Sequence, residues 1–392
     1  MSVMTDPKLA MMESPVHARL DTLNRAKSWY NWAGYAAPSV LDTMEFEYFA
    51  LRNQAAIFDV SPMHKYRIRG PKAGEMLNRV MTRDITKIRS GRVGYTLWCD
   101  EDGMVIDDGT LFRLGESDWR LCCQEPMLIW LLDAAWGFDV EIVDESDLIA
   151  GFALQGPSSF AVLESAGLDV AHLKPFDLAE IEPGLMISRT GFTGDLGYEI
   201  WMDWDAALSV WDRLWRAGAL WGLRGIGYEA LDYARLEAGF ITAGVDFQPI
   251  HATERLHRGS TPYELGLGRL VDLEKGHFNG RRALLNARKT PRSLLMKFDV
   301  EGFKPANSAL VYHKKTREVG HITSGIWSPT AKRNIALAHV KMPWAGKRPA
   351  DLWAEIYTLQ EGKWDTRMVR LTPVKTAFFA PPRARATPPA RT

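Results

Sequence analysis

Residues 189–201, RTGFTGDLGYEIW, set three glycines, Gly191, Gly194 and Gly197, ahead of a strand in which a lone carboxylate, Glu199, stands among Tyr198, Ile200 and Trp201. Strand side chains alternate between faces, so Tyr198 and Ile200 point one way and Glu199 points the other, with Trp201. A charge beside an indole is costly to bury without a partner. The residues alone leave two readings open: an edge strand with Glu199 in water, or a site where the carboxylate accepts a planar pair of N–H donors side by side.

Outward from that strand, the 392-residue chain is long enough for two or three domains. Its 48 basic and 48 acidic residues cancel, which removes any global field for nucleic acid or an anionic membrane and favours a small-molecule partner. Cys99, Cys122 and Cys123 form no CxxC pair, and the N-terminal MSVMTDPKLAMMESP has an acid and a proline where a signal peptide has its apolar core. No apolar run reaches spanning length, so a cytoplasmic protein is expected. Nine histidines give no HExxH pattern, and DEDGMVIDDG lacks the ligand spacing of an EF-hand, so no metal site is expected. GLRGIG, residues 222–227, has the wrong spacing for dinucleotide binding.

Two segments repeat. YRIRGPKAGEMLNRV (66–80) and FALQGPSSFAVLESA (152–166) each read as strand, Gly-Pro break and amphipathic helix, predicting two related α+β halves. Between them GYTLWCDEDGMVIDDGTLFRL has the alternation of a β-hairpin, with Asp107 and Asp108 near the entry of its second strand. Helices are predicted over 206–219 and over 227–238, the latter stopped by Gly239. From about Pro291, LLMKFDV, ALVYH, EVGHITSGIW, NIALAHVK and DLWAEIYTL read as strands of a small all-β domain. The expected division is 1–288 for a catalytic region of two α+β subdomains, 289–380 for a C-terminal β-barrel, and 381–392 for a disordered, basic, proline-rich tail.

In order and spacing, LRNQAAIFDVSPMHKYRIRGPKA, the Asp-Asp hairpin, FALQGPSS, RTGFTGDLGYEIW, YEALDYARLEAG, TPYELGLGRLVDL and VGHITSGIWSPTAKRNIALAHVK resemble the glycine-cleavage T-protein (aminomethyltransferase) superfamily. The resemblance implies an α+β ring of two related ferredoxin-like or α/β layers plus a C-terminal barrel, with tetrahydrofolate in a central channel. It implies a catalytic role for Asp108 and cofactor binding by Glu199, which would accept from the 2-amino group and ring N–H of the pterin. Phe192 and Phe112 stand where tyrosines are usual, Tyr95 keeps an aromatic place, and Asp232 completes the implied cofactor-binding set. The chain departs from the T-protein proper at Leu231, where an arginine is usual, at Pro62, where a histidine is usual, and in NWAGYAAP, residues 31–38. Met81–Tyr95 is similar to the sulfonium demethylase branch, whereas Asp107-Asp108-Gly109 is similar to the aminomethyl and sarcosine-type branches.

A one-carbon transfer to folate nitrogen requires a group that handles a proton and geometry that excludes water, work that suits Asp108. The segment SWYNWAGY offers Trp29, Tyr30, Trp32 and Tyr35 as a substrate cage for a cationic methyl group, or simply as core. The leading expectation is a demethylase that moves a methyl or aminomethyl carbon from a small methylated donor to tetrahydrofolate. The alternatives are the aminomethyltransferase of glycine cleavage, or a folate-binding module beside a carrier protein or a separate oxidase.

Overall fold

Gly70 and Gly156 end equivalent strands with φ of +130° and +111°, a backbone that side chains rarely adopt. A Cβ on Gly70 would sit 2.6 Å from the Asp139 carbonyl oxygen, and one on Gly156 would sit 2.6 Å from those of Gln54 and Leu51. Each glycine lets the chain turn sharply from a strand into a helix, so the two repeated segments build the same corner.

The computed structural model describes residues 12–346 and 351–390. Residues 1–11 of the N-terminal stretch, and residues 391–392 of the basic tail, lie outside them. The first half comprises α1 (His17–Leu23), β1 (Ser28–Trp32), β2 (Tyr35–Val40), α2 (Met44–Asn53), β3 (Ala56–Asp59), β4 (His64–Arg69), α3 (Ala73–Val80), β5 (Arg92–Cys99), β6 (Val105–Arg113), β7 (Asp118–Cys123), α4 (Leu128–Ala134) and β8 (Glu141–Asp144). The second comprises β9 (Ile149–Gln155), α5 (Ser159–Ser165), β10 (Leu178–Glu182), β11 (Leu185–Ser188), β12 (Gly197–Asp203), α6 (Ala207–Gly218), β13 (Arg224–Gly225) and α7 (Tyr228–Ala238), followed by α8 (Arg281–Ala287).

One sheet runs β5-β6-β7-β4-β8 and the other β10-β11-β12-β9-β3-β13. In both, a three-strand meander lies beside the strand that opens the repeat, so the halves share topology as well as motif. Nearly all pairings are antiparallel, which decides for ferredoxin-like layers over parallel α/β ones. Helical spacing supplies the outer layers: α3 buries Ala73, Met76, Leu77 and Val80, and α6 buries Ala207, Val210, Trp211 and Leu214. Phe58, Val93, Phe112, Cys122, Ala153 and Trp201 fill the space between the two sheets.

The C-terminal strands β14 (Ser293–Val300), β15 (Leu310–His313), β16 (Arg317–Ser328), β17 (Arg333–Lys341), β18 (Leu352–Gln360) and β19 (Lys363–Val374) close into a barrel in the order β14-β17-β16-β15-β18-β19. Its interior is Phe298, Val311, Ala336, Ala338, Val340 and Ala354. The barrel docks on α7 through Leu236, which packs with Ile326, Ile335, Leu337 and Phe378.

The expectation of a disordered tail does not hold for residues 381–390. Arg383 donates to both oxygens of Asp195 at 2.7 and 2.8 Å, and Arg189 donates to the Ala386 carbonyl at 2.7 Å and the Thr387 hydroxyl at 2.9 Å. Composition misled here because the arginines that suggest solvation are the ones that anchor.

The corner geometry sets a paired test. Gly156→Ala places a Cβ against two carbonyls at positive φ and should cost about 2–4 kcal/mol. Gly74→Ala, within α3 and with nothing within 4 Å of the new Cβ, should be neutral or stabilising by up to about 1 kcal/mol. Urea denaturation of both variants measures the contrast.

Candidate functional site

Asp107 and Asp108 lie just beyond a register shift that separates Trp98 from Cys99 in the pairing of β5 with β6. From there strand alternation puts Asp108 on the face of Thr110 and Phe112, toward the space between the sheets. Asp107 is fully buried; its Oδ1 accepts from the Asp108 N–H at 2.8 Å and its Oδ2 from the Glu125 N–H at 2.9 Å. Both its oxygens are thus spent on backbone. Asp108 is half-buried, and its Oδ2 accepts from the Tyr95 hydroxyl at 2.6 Å. Burial pushes the Asp108 carboxyl up to about 6, with the Tyr95 bond opposing. Asp107 stands well above the carboxylate range because of burial first and the adjacent Asp108 charge second.

On the opposite sheet, Tyr198 and Ile200 point into the helix-side core, while Trp201 lies among the residues between the sheets. Glu199 shares the Trp201 face. The Thr190 hydroxyl donates to its Oε2 at 2.6 Å, and Ser188 and Thr190 hydroxyls lie 2.7 Å apart. Burial raises the Glu199 carboxyl and the Thr190 bond opposes it. Among the described residues no donor is bonded to Oε1 of Glu199, and the buried Trp201 Nε1 has no partner. Cys122, on β7, is pushed up to about 12 by burial, with the Glu199 charge adding to the rise across the gap. Cys122 pairs with Thr110, two residues from Asp108 on β6. Asp108 and Glu199 therefore open onto one inter-sheet layer, one carboxylate from each half.

Phe112 is fully buried and meets Trp201 edge-on at 5.5 Å, as a wall of that layer. Phe192 stacks on Phe240 at 5.6 Å, and at 37% and 38% exposure the pair forms an open aromatic rim. Asp232 accepts from Arg235 Nε at 2.7 Å, so its charge is already met within α7. The aromatic quartet does not converge. Tyr30 lies 6.5 Å from Trp32 and 5.3 Å from Tyr228, and Trp32 packs on Phe58 at 5.7 Å. Trp29 instead stacks on His17 at 4.7 Å, and Tyr35 sits against Trp204 and donates to Asp147. Alternation along β1 is the reason: Tyr30 and Trp32 share a face that Trp29 does not. Sequence reasoning missed Thr190, Tyr228 and the buried Asp59, whose charge is felt at the Tyr30 phenol after burial and Tyr228. Thr190 was available as the hydroxyl in the loop leading to Glu199.

Two related antiparallel layers with a barrel docked on them define a class of protein, the folate-dependent aminomethyltransferase family. Residues 20–275 match the GCVT N-terminal domain and residues 294–379 the glycine cleavage T-protein C-terminal barrel domain, and the chain belongs to the glycine-cleavage T-protein family. It is 35% identical over 338 residues to an aminomethyltransferase of Streptomyces coelicolor, covering 82% of this chain and 88% of that one. It is also 33% identical over 311 residues to a trimethylamine-oxide aldolase of Ruegeria pomeroyi, covering 75% of this chain and 38% of that one. The crystal structure of the glycine cleavage system aminomethyltransferase T from Bartonella henselae superposes with a TM-score of 0.82 at 25% identity, covering 94% of this chain and 98% of that chain. Aminomethyltransferases of this family use tetrahydrofolate.

The raised Asp108 carboxyl sets a stability test. Its folded pKa of about 6 exceeds the ordinary 3.8, so the fold favours the protonated acid, and that stabilisation is lost as pH rises through about 6. Asp108→Asn escapes the loss: it should be more stable than the parent by about 1–3 kcal/mol at pH 8 and show no gain below pH about 4. Urea midpoints across that range measure it.

Proposed function

We propose that this chain transfers a one-carbon group from a small methylated donor, an onium or N-methyl compound, to tetrahydrofolate. The observation that carries the reading is the cluster of Tyr30, Trp32 and Tyr228, in which Trp32 packs against the residues between the sheets. Aromatic faces favour a cationic methyl donor. The hydrophobic side chain at Leu231 supports a departure from glycine cleavage, and the relative named for trimethylamine oxide, a small N-methylated molecule, points the same way.

The residues fit the cofactor. Glu199, half-buried in an otherwise largely buried strand, keeps one carboxylate oxygen without a donor among the described residues, the acceptor that a pterin edge of N–H donors requires. Phe192 and Phe240 offer a stacking face at the rim. Tetrahydrofolate supplies the nitrogen that receives the carbon. Asp108, held by Tyr95, takes or stabilises the proton at that nitrogen, and the apolar wall of Phe112 and Trp201 keeps water away. A neighbouring oxidase or an aminomethylated carrier remains the second reading, favoured by the aminomethyltransferase relatives.

Incubation of the purified protein with tetrahydrofolate and sulfonium, betaine, methoxyaromatic and N-methyl amino-acid donors, with mass detection of the folate product, tests the proposal. Methyl-tetrahydrofolate from a free donor is expected, because the mixture holds no oxidant to take a methyl carbon to the methylene level; product formed only from aminomethylated carrier protein overturns it. Glu199→Gln should weaken tetrahydrofolate binding by about 1.5–3 kcal/mol in calorimetry while leaving the melting temperature nearly unchanged.

A further inference from the structure

We propose that the C-terminal segment, residues 381–387, acts as a strap that holds the 189–196 loop in the geometry that binds tetrahydrofolate, with Arg383 as its positioning residue. The inference rests on the reading of Glu199 and its surroundings as the tetrahydrofolate site.

The loop joins β11 to β12 and carries Thr190, which holds Glu199, and the exposed Phe192. The tail pins both of its ends. At the first, Arg189 donates to the carbonyls of Ala384 and Ala386 at 3.3 and 2.7 Å, to Thr387 Oγ1 at 2.9 Å and to the Leu173 carbonyl at 2.9 Å. At the other, Arg383 forms a two-pronged ion pair with Asp195, whose side chain is fully buried, and donates to the Arg52 carbonyl at 3.2 Å. Asp195 passes the constraint inward: its Oδ1 accepts from the Leu196 N–H at 2.8 Å, and its own N–H donates to Thr193 Oγ1 at 3.3 Å. Thr193 bonds Gln155, whose amide donates to the Thr190 carbonyl at 3.2 Å. A connected path thus runs from Arg383 to the residue that orients Glu199. Bidentate arginine–carboxylate pairs fix orientation as well as distance, which a single lysine contact does not. The strap begins beyond residue 379, where the match to the barrel domain ends.

Without Arg383 that end of the loop keeps only Arg52, 3.7 Å from Asp195 and bonded to the Thr193 carbonyl, so the loop spends less time in the binding geometry and apparent affinity falls by the fraction of time it is competent. Arg383→Gln, and a chain ending at Ala380, should each bind tetrahydrofolate about tenfold more weakly. KM for tetrahydrofolate should rise with little change in kcat, and hydrogen exchange at residues 189–196 should quicken. A synthetic peptide of residues 381–392 added to the truncated chain should restore affinity, which general destabilisation would not permit. If the truncated chain does not fold, Arg383→Gln is measured alone. Parent-like affinity and loop exchange in a folded Arg383→Gln protein overturn the strap. Glu199→Gln in the full chain separates the two levels. Weak binding there with normal binding in Arg383→Gln removes the strap alone, and normal binding in both removes the site reading with it.

Discussion

The buried ion pair of Arg52 and Glu237 joins α2, α7, the site loop, the barrel and the root of the tail. From α2, Arg52 donates to Glu237 Oε2 at 2.9 and 2.7 Å, to the Thr193 carbonyl at 3.0 Å and to the Ala234 carbonyl at 3.1 Å. From α7, Glu237 also accepts from Tyr48 at 2.6 Å and from Ser328 of the barrel. The Arg52 guanidinium lies 4.3 Å from the Phe379 ring centroid, at the root of the tail. One guanidinium therefore ties the first half, the site loop, the barrel and the tail. Burying two charges is expensive, and only a full set of hydrogen bonds makes it tolerable. The pair is better understood as fixing how the parts sit than as a source of net stability.

Two residues earlier on α7, Arg235 makes a parallel junction. It bonds Asp232, Asp246 and Ser324, and Asp246 in turn accepts from Thr323 and Ser324 of β16 at 2.6 and 2.7 Å. The helix thus presents Leu236 to an apolar interface and flanks it with Arg235 and Glu237, each met by complementary groups. The position at 231, where the resemblance leads one to expect arginine, carries a leucine packed toward the inter-sheet cluster. The charges of Arg235 and Glu237 are devoted to assembly.

Elements with strong periodicity were legible in the sequence. The helices over 206–219 and 227–238 appear as α6 and α7, Gly239 ends the latter at a φ of +73°, and the Asp-Asp hairpin is β5 and β6. Five barrel strands were likewise visible from alternation. The sixth, β19, was not, because KWDTRMVRLTPV lies largely exposed and its polar residues mask the pattern. At the site, the direction of Glu199 followed from alternation alone, as did the separation of Asp107 from Asp108. The division of the aromatic quartet was also implicit in β1 but was obscured by treating nearness in sequence as nearness in space. The tail was misread because an arginine that finds a buried carboxylate looks, in sequence, like one that finds water.

The two halves equate Gly70 with Gly156, and with that offset Arg67 on β4 corresponds to Ala153 on β9. Arg67 pairs with Arg120, and Ala153 pairs with Glu199. The counterpart of the half-buried carboxylate in the second half is therefore a buried guanidinium, neutralised by Glu145 at 2.8 Å, in the first. Matched positions of opposite sign make the two walls of the layer chemically unlike although their strands repeat.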